Sequence, residues 1–225
     1  MRSPGEIAAS WDAEYQRERY RCDPPLAFVE DIVDAARRSG RLDGIYLGCG
    51  NGRNYVPLRR AGLRLIGLDV SRVAIEQLGE RAPEYRADLR VGNLSSLPAE
   101  GAHDLVVALQ VLRHGRRDVA RAHVRAAQGT VSPGGLIAVR VNATGTDIEY
   151  RHDVVERGSD GSHSVHYLEG PKAGLDIHFF AEEELEGLFA ESFEPILPLR
   201  RADTRRTPPA SGVWCQWEGI WQRNG

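Results

Sequence analysis

From Asp43 onward, short apolar runs rich in β-branched residues alternate with longer stretches whose apolar positions recur at helical spacing. This is the pattern of a mostly parallel sheet, doubly wound, with helices on both faces. The pattern predicts strands at Gly44–Gly48, Leu63–Leu68, Ala87–Val91, Asp104–Leu109 and Leu136–Val141, and helices at Asn54–Ala61, Arg72–Arg81 and Arg117–Thr130. Ser132-Pro133-Gly134-Gly135 reads as a turn that stops the third of these helices before the fifth strand. Two helical segments precede the sheet, near Glu6–Tyr20 and Pro25–Arg38. A helix at Ala181–Phe189 and strands near Phe193–Leu199 and Gly212–Gln222 close the chain and raise the strand count to seven. Between Asn142 and Asp176 the rhythm breaks into polar sequence with a Gly158-Ser159-Asp160-Gly161 turn between two alternating runs, which predicts an inserted hairpin or lid.

Length and composition narrow this picture. A chain of 225 residues with 41% apolar content suits one domain, residues 1–225, with residues 1–40 as a helical cap and 142–176 as the insertion. A net charge of −3 lacks the basic footprint of a duplex-binding domain, so nucleic acid is not the expected partner. The first residues carry no apolar signal core and no run approaches the ~20 apolar residues of a membrane span, which points to the cytoplasm. Cys22, Cys49 and Cys215 are too scattered for a disulfide framework or a zinc site and read as reduced thiols. Of the 29 basic residues only Lys172 is a lysine, which argues against Schiff-base and P-loop chemistry and places no lysine nucleophile near the expected pocket.

The run Gly44-Ile45-Tyr46-Leu47-Gly48-Cys49-Gly50-Asn51-Gly52-Arg53-Asn54 combines a buried strand, three alternating glycines and a helix start. Alternating glycines let the main chain turn tightly at a strand's carboxyl end and approach a ligand, where open α/β sheets bind cofactors. The dinucleotide fingerprint G-x-G-x-x-G requires glycine at position 53, and Arg53 opposes it and the NAD-dependent reading. Asp69, at the tip of the second strand and followed by Val70, is placed to accept hydrogen bonds from two ribose hydroxyls.

These features resemble the class I S-adenosylmethionine-dependent methyltransferases from about Asp43 to the C-terminus. The resemblance implies a Rossmann-like seven-stranded sheet with an antiparallel last strand, S-adenosyl-L-methionine as cofactor, and methyl transfer as the activity. It implies that Gly48, Cys49, Gly50, Asn51 and Gly52, with Asn54, wrap the methionine part and ribose. Asp69 with Val70 would hold the ribose diol, Asn93 and Leu94 in Gly92-Asn93-Leu94 would meet the adenine, and Gln110 and Val111 would complete the pocket. Trp11-Asp12-Ala13-Glu14-Tyr15 and His178-Phe179-Phe180-Ala181 are most similar to small-molecule enzymes of the tellurite-resistance and thiopurine type, in which Tyr15 would close over the cofactor. Two positions depart from the family's pattern, Tyr46 where an acid is usual and Asn93 where an aspartate is common.

Methyl transfer from a sulfonium is an in-line displacement that depends chiefly on positioning. His114, just beyond the fourth strand, is the candidate base or substrate contact, with a solvated loop residue as the alternative. Glu149, Tyr150 and Arg151 are candidates to recognise or act on a polar acceptor, against a solvent-facing hairpin. His163 and His166 fall on opposite faces of a strand, so no metal is expected. Trp214, Trp217 and Trp221 read as core residues, and Arg200, Arg201, Arg205 and Arg206 as a basic loop beside Pro208-Pro209. The expected acceptor is a small molecule, and the expected assembly a monomer or homodimer. An RNA or protein methyltransferase and a non-catalytic cofactor-binding module are the competing readings.

Overall fold

The computed structural model describes residues 4–17, 23–94, 101–208 and 210–225. Cys22, the end of the predicted first helix (residues 18–20) and Pro209 fall outside them. Helices α1 (Pro4–Gln16) and α2 (Phe28–Ser39) lead into β1 (Asp43–Leu47), α3 (Tyr55–Arg60), β2 (Arg64–Asp69), α4 (Arg72–Arg81), β3 (Leu89–Val91), β4 (His103–Leu109), α5 (Arg117–Gly129) and β5 (Val131–Asn142). Three short strands follow, β6 (His152–Arg157), β7 (His163–Tyr167) and β8 (Asp176–Phe179). The chain ends in α6 (Glu182–Phe189), β9 (Phe193–Arg205) and β10 (Val213–Arg223).

The main sheet has seven strands in the order β3-β2-β1-β4-β5-β10-β9, with β10 antiparallel to both neighbours. This is a Rossmann-like doubly wound sheet with an antiparallel last strand. Strand periodicity sends alternate residues to opposite layers. Tyr46, Val107, Leu136 and Ala138 pack under α2 and α3 with Phe28, Ile32 and Leu58. Ile45, Leu47, Val106, Ile137 and Val139 pack under α5 and α6 with Val124, Leu185 and Phe189. Strand order reverses between β1 and β4, and at such a switch point the loops leave the strands' carboxyl ends in opposite directions and open a crevice.

Several boundaries differ from the sequence expectation. Ser132–Gly135 is a bulge inside β5 instead of a turn before it, because β4 pairs with both sides of it, His103 with Val131 and Leu105 with Leu136. Ala87 and Asp88 belong to a 3-10 turn, leaving only three residues for β3. The insertion is a three-stranded antiparallel sheet, since Asp176–Phe179 pairs with β7. Arg200, Arg201 and Arg205 lie on β9 instead of a loop, held by the long β10. Arg200 there pairs with Asp31 and Glu218, and Arg201 with Asp203.

The insertion is fixed to the body rather than loosely hinged. His178 N donates to Arg113 O (2.9 Å), Gly115 N to Asp176 O (2.8 Å) and Phe180 N to Asn142 O (2.9 Å). The fully buried His178 ring bridges Ser164 Oγ (2.9 Å) and Glu184 Oε2 (3.0 Å), while Glu184 Oε1 accepts from Arg117 Nε (2.9 Å) and Arg121 Nε (2.6 Å). Burial raises the Glu184 pKa, but the His178 hydrogen bond and charge and both arginines outweigh it and bring it down to about 2. Helix α1 is tethered at the other side. Asp12 Oδ1 accepts from Ser71 Oγ (2.6 Å) and Val73 N (3.1 Å), and Tyr15 O from Gln77 Nε2 (3.0 Å). Ser71 in turn caps α4, its Oγ accepting from Ala74 N at 3.0 Å.

Candidate active site

The loops at the carboxyl ends of β1 to β5 open into one continuous cavity of about 810 Å³, roofed by α1 and walled by the insertion. Single-ligand pockets span roughly 300–1,000 Å³, so this one has room for a nucleoside-sized ligand with a second small molecule beside it. Tyr15, Gly48, Cys49, Gly50, Asn51, Asn54, Asp69, Val70, Asn93, Leu94, Gln110, Val111, His114 and Tyr150 all line it.

At the first glycines the wall is main chain. Gly48 N and Cys49 N both donate to Leu68 O, at 2.8 and 3.1 Å, which folds the loop back over β2. Gly50 has φ +55°, and a Cβ there would lie 2.5 Å from the Tyr15 hydroxyl, so the position has no space for a side chain. Gly52 does not line the cavity. Its φ of +93° serves the turn, and a Cβ would run into Leu78 and Val56 beneath the loop. The Cys49 thiol packs into the core, and burial together with the Asp69 charge pushes it well above its ordinary pKa, so it remains a protonated thiol.

Asp69 is buried at the rim of β2. Its Oδ2 accepts from Gly50 N (2.8 Å) and its Oδ1 from Ser71 N (2.9 Å). Burial raises its pKa, against these amides, which favour the charged form. Each carboxylate oxygen keeps acceptor capacity toward the cavity. Tyr46, at the place of the family's usual acid, is buried with its hydroxyl accepting from Asn54 Nδ2 (3.4 Å), and burial raises its pKa so that it stays uncharged. Asn54 Oδ1 accepts from Leu26 N at 2.9 Å, and Arg53 donates to Pro24 O, so this loop also holds the segment before α2. Gln110, at the end of β4, has φ +65°, the sole positive φ among the described non-glycine residues, a conformation costing about 1–3 kcal/mol. Its amide donates to Arg140 O (2.6 Å) and its Nε2 to Gln216 Oε1 (3.1 Å).

Beyond Gln110 the wall is made of side chains. Arg113, 4% exposed, donates to Asn142 Oδ1 (2.7 Å) and lies 5.7 Å from the Trp214 ring. Trp214 Nε1 donates to the same Asn142 oxygen at 3.3 Å. Lys172 Nζ stands 5.5 Å from the Tyr167 ring and 5.8 Å from that of Trp214. His114 meets Trp11 edge to face at 5.5 Å. Its pKa is well below the ordinary histidine value because of burial, reinforced by the charges of Arg113 and Lys172, so the ring is neutral at pH 7. His123 donates to the His114 carbonyl and is itself held neutral by burial.

The sequence reading therefore needs two corrections here. Trp214 faces the cavity, unlike Trp217 and Trp221 in the core, because strand alternation turns it to the other side. Lys172 lines the cavity from the β7–β8 turn. Asn142, Tyr167, Phe179 and His123 also line it without having been picked out, since each lies in a run whose pattern reports only its strand or helix. Glu149 and Arg206 reach the cavity, whereas Arg151, His152, His163 and His166 do not. Among the described residues no group of three or more His, Cys, Asp or Glu is placed to hold a metal, and no helix is long and apolar enough to cross a membrane.

Residues 45–135 match the family described as "Methyltransferase domain". The fold and this match agree with the class I S-adenosylmethionine-dependent methyltransferase resemblance. The chain is 37% identical over 155 residues to a ubiquinone biosynthesis O-methyltransferase of Methylobacterium sp. (strain 4-46), covering 61% of each chain. It thus spans about three fifths of that relative's length. Two solved structures share the fold. One is the 1,6-didemethyltoxoflavin-N1-methyltransferase of Burkholderia thailandensis, with bound 1,6-didemethyltoxoflavin and S-adenosylhomocysteine (TM-score 0.64, 16% identity, covering 100% of this chain and 92% of that one). The other is TehB from Haemophilus influenzae (TM-score 0.62, 15% identity, 87% and 62%).

Proposed function

We propose that the protein is an S-adenosyl-L-methionine-dependent methyltransferase acting on a small molecule. The observation that carries this reading is the continuity of one cavity from the Gly48–Asn54 cradle and Asp69 to the aromatic, basic wall beyond Gln110. The cradle fits the cofactor. The absence of a Cβ at Gly50 lets the Tyr15 hydroxyl close against the loop, and Asp69 presents buried carboxylate oxygens suited to a diol. When bound, S-adenosylmethionine supplies a methyl group on a positively charged sulfur that keeps the electron pair as the methyl departs.

The protein's part is to position the acceptor and manage its proton. His114, neutral at pH 7, takes the proton of an acceptor O–H or N–H, leaving that atom's lone pair free to form the bond to the methyl carbon. The curated relative's name favours an oxygen acceptor. Tyr150, packed over Gly170, orients the acceptor at the mouth of the insertion. The cavity lies between α1 and the insertion, whose side chains narrow it, and this favours a small acceptor over RNA or protein. The free thiols of Cys49 and Cys215 accord with a reducing, cytoplasmic setting.

Incubation with methyl-labelled cofactor and separate metabolite, tRNA and protein fractions tests the reading. Label is expected in the metabolite fraction. Label in tRNA or protein alone would overturn the small-molecule acceptor.

A further inference from the structure

Gln110 stands at the join between the two halves of the cavity. The first glycine of the cradle lies against its neighbour, since a Cβ at Gly48 would be 2.8 Å from the Val111 side chain. Arg113 and His114, a few residues on, already belong to the wall beyond. A methyl group passing from a ligand in the cradle to an acceptor at that wall must therefore cross at this residue. Gln110 is also firmly held. Its backbone has the left-handed φ of +65°, kept there as its N–H donates to Arg140 O (2.6 Å) and its Nε2 to Gln216 Oε1 (3.1 Å). Gln216 is fully buried on β10, where it pairs with Asn142 of β5 and Ala202 of β9. Its own Nε2 is buried without a hydrogen-bond partner among the described residues. An apolar side chain at 216 would remove that unsatisfied nitrogen. The glutamine is accounted for by its oxygen, which holds Gln110 by the nitrogen end.

We infer that the Gln110 carboxamide, turned by Gln216, presents its oxygen to the sulfonium of the bound cofactor and makes the site prefer S-adenosylmethionine to the spent S-adenosylhomocysteine. The inference rests on the methyltransferase reading and adds how the site tells cofactor from product. A carboxamide held at its nitrogen offers the oxygen at its other end, and that oxygen only accepts. The sulfonium spreads a full positive charge over the sulfur and the carbons bonded to it, and its attraction to an oxygen is strong where little water intervenes. When the bond from sulfur to the methyl carbon breaks, its electron pair stays on the sulfur, which becomes a neutral thioether. The attraction ends with the reaction, and the product leaves more readily than the cofactor. The opposite orientation of the pair, with Gln110 Nε2 facing the cavity, would set a partial positive charge against the sulfonium and reverse the preference, so the affinity ratio also reports which way the two amides lie.

Calorimetric titrations of the whole protein with S-adenosylmethionine, S-adenosylhomocysteine and sinefungin, which carries an ammonium-bearing carbon in place of the methylated sulfur, test this. In the wild-type protein both charged ligands are expected to bind at least about fivefold more tightly than S-adenosylhomocysteine. Gln110→Met has nearly the same length without the oxygen, and Gln216→Met releases the nitrogen end. Each should bring the three affinities to within about twofold of one another by weakening the charged ligands, with S-adenosylhomocysteine binding retained as the sign of an intact fold. Gln110→Glu, which keeps an oxygen, should keep the preference. Equal binding of S-adenosylmethionine and S-adenosylhomocysteine by the wild type, tighter binding of the latter, or a preference that survives both methionine variants would overturn the inference and leave the cofactor reading standing. Failure of all three ligands to bind would remove the cofactor reading and the inference with it.

Discussion

Around Gly48–Gly50 the cavity is bounded by main chain, held by hydrogen bonds to Leu68 O and the Asp69 carboxylate. Around Arg113, His114, Lys172 and Trp214 it is bounded by side chains from the loop after β4, from β10 and from a separate small sheet clamped to the body through His178 and Glu184. The first end can be spoiled only by adding atoms or removing its one carboxylate. The second can be altered by trimming single side chains without disturbing the sheet. A constant cofactor and a variable acceptor call for this division, because main-chain geometry admits little variation and side chains admit much.

The largest expected effect falls on the side-chain end. His114→Asn should lower kcat by about 10²–10⁴-fold if the acceptor loses a proton in the transition state, with S-adenosylhomocysteine affinity unchanged. The wild-type rate should be flat across neutral pH and fall only well below the ordinary histidine value, through the depressed His114 pKa, because protonation removes the base. A variant with the wild-type rate and pH profile would remove His114 from the chemistry.

Next comes the clamp beneath that wall. Glu184→Ala should destabilise the fold by about 3 kcal/mol, read by denaturant unfolding, by leaving His178, Arg117 and Arg121 without their shared carboxylate. Since the folded-state pKa of Glu184 is depressed to about 2, its contribution is present above the unfolded value near 4.5 and is lost as pH falls from there toward 2. Wild type should therefore lose stability across that range more steeply than Glu184→Ala.

At the main-chain end, Gly50→Val should weaken S-adenosylhomocysteine binding about a hundredfold by calorimetry, because a branched side chain conflicts with both the +55° φ and the Tyr15 hydroxyl. Near-normal affinity would mean that the loop does not form the cradle. The smallest effect is expected for Asp12→Ala, which removes the acceptor joining α1 to Ser71 and Val73. About 1 kcal/mol of stability should be lost, with a few-fold loss of cofactor affinity as the roof loosens.

The contrast between the two ends also explains how much the sequence revealed. Alternating glycines, a strand-tip acid and the switch from strand to helix periodicity are local signals, so the parallel sheet, the glycine loop after its first strand and the place of Asp69 at the end of the second were legible before any coordinates. Gly52 does not line the cavity, and its neighbours in space, Leu78 and Val56, come from helices whose packing the glycine spacing does not report. The acceptor wall was largely illegible. Asn142 and Trp214 meet through the pairing of β5 with β10, and Tyr167 and Lys172, far from both in sequence, reach them only once β8 pairs with β7 and joins the loop after β4. Of that wall, His114 and Tyr150 were picked out by their place after a strand and at the insertion's start.

The most direct test of the central claim is one calorimetric titration of the wild-type protein with S-adenosyl-L-methionine, paired with Asp69→Ala and with NAD as control. Saturable one-to-one binding of the sulfonium, lost by at least about a hundredfold in Asp69→Ala and absent for NAD, is the expected result. No binding of S-adenosylmethionine, or binding that Asp69→Ala leaves intact, would contradict it.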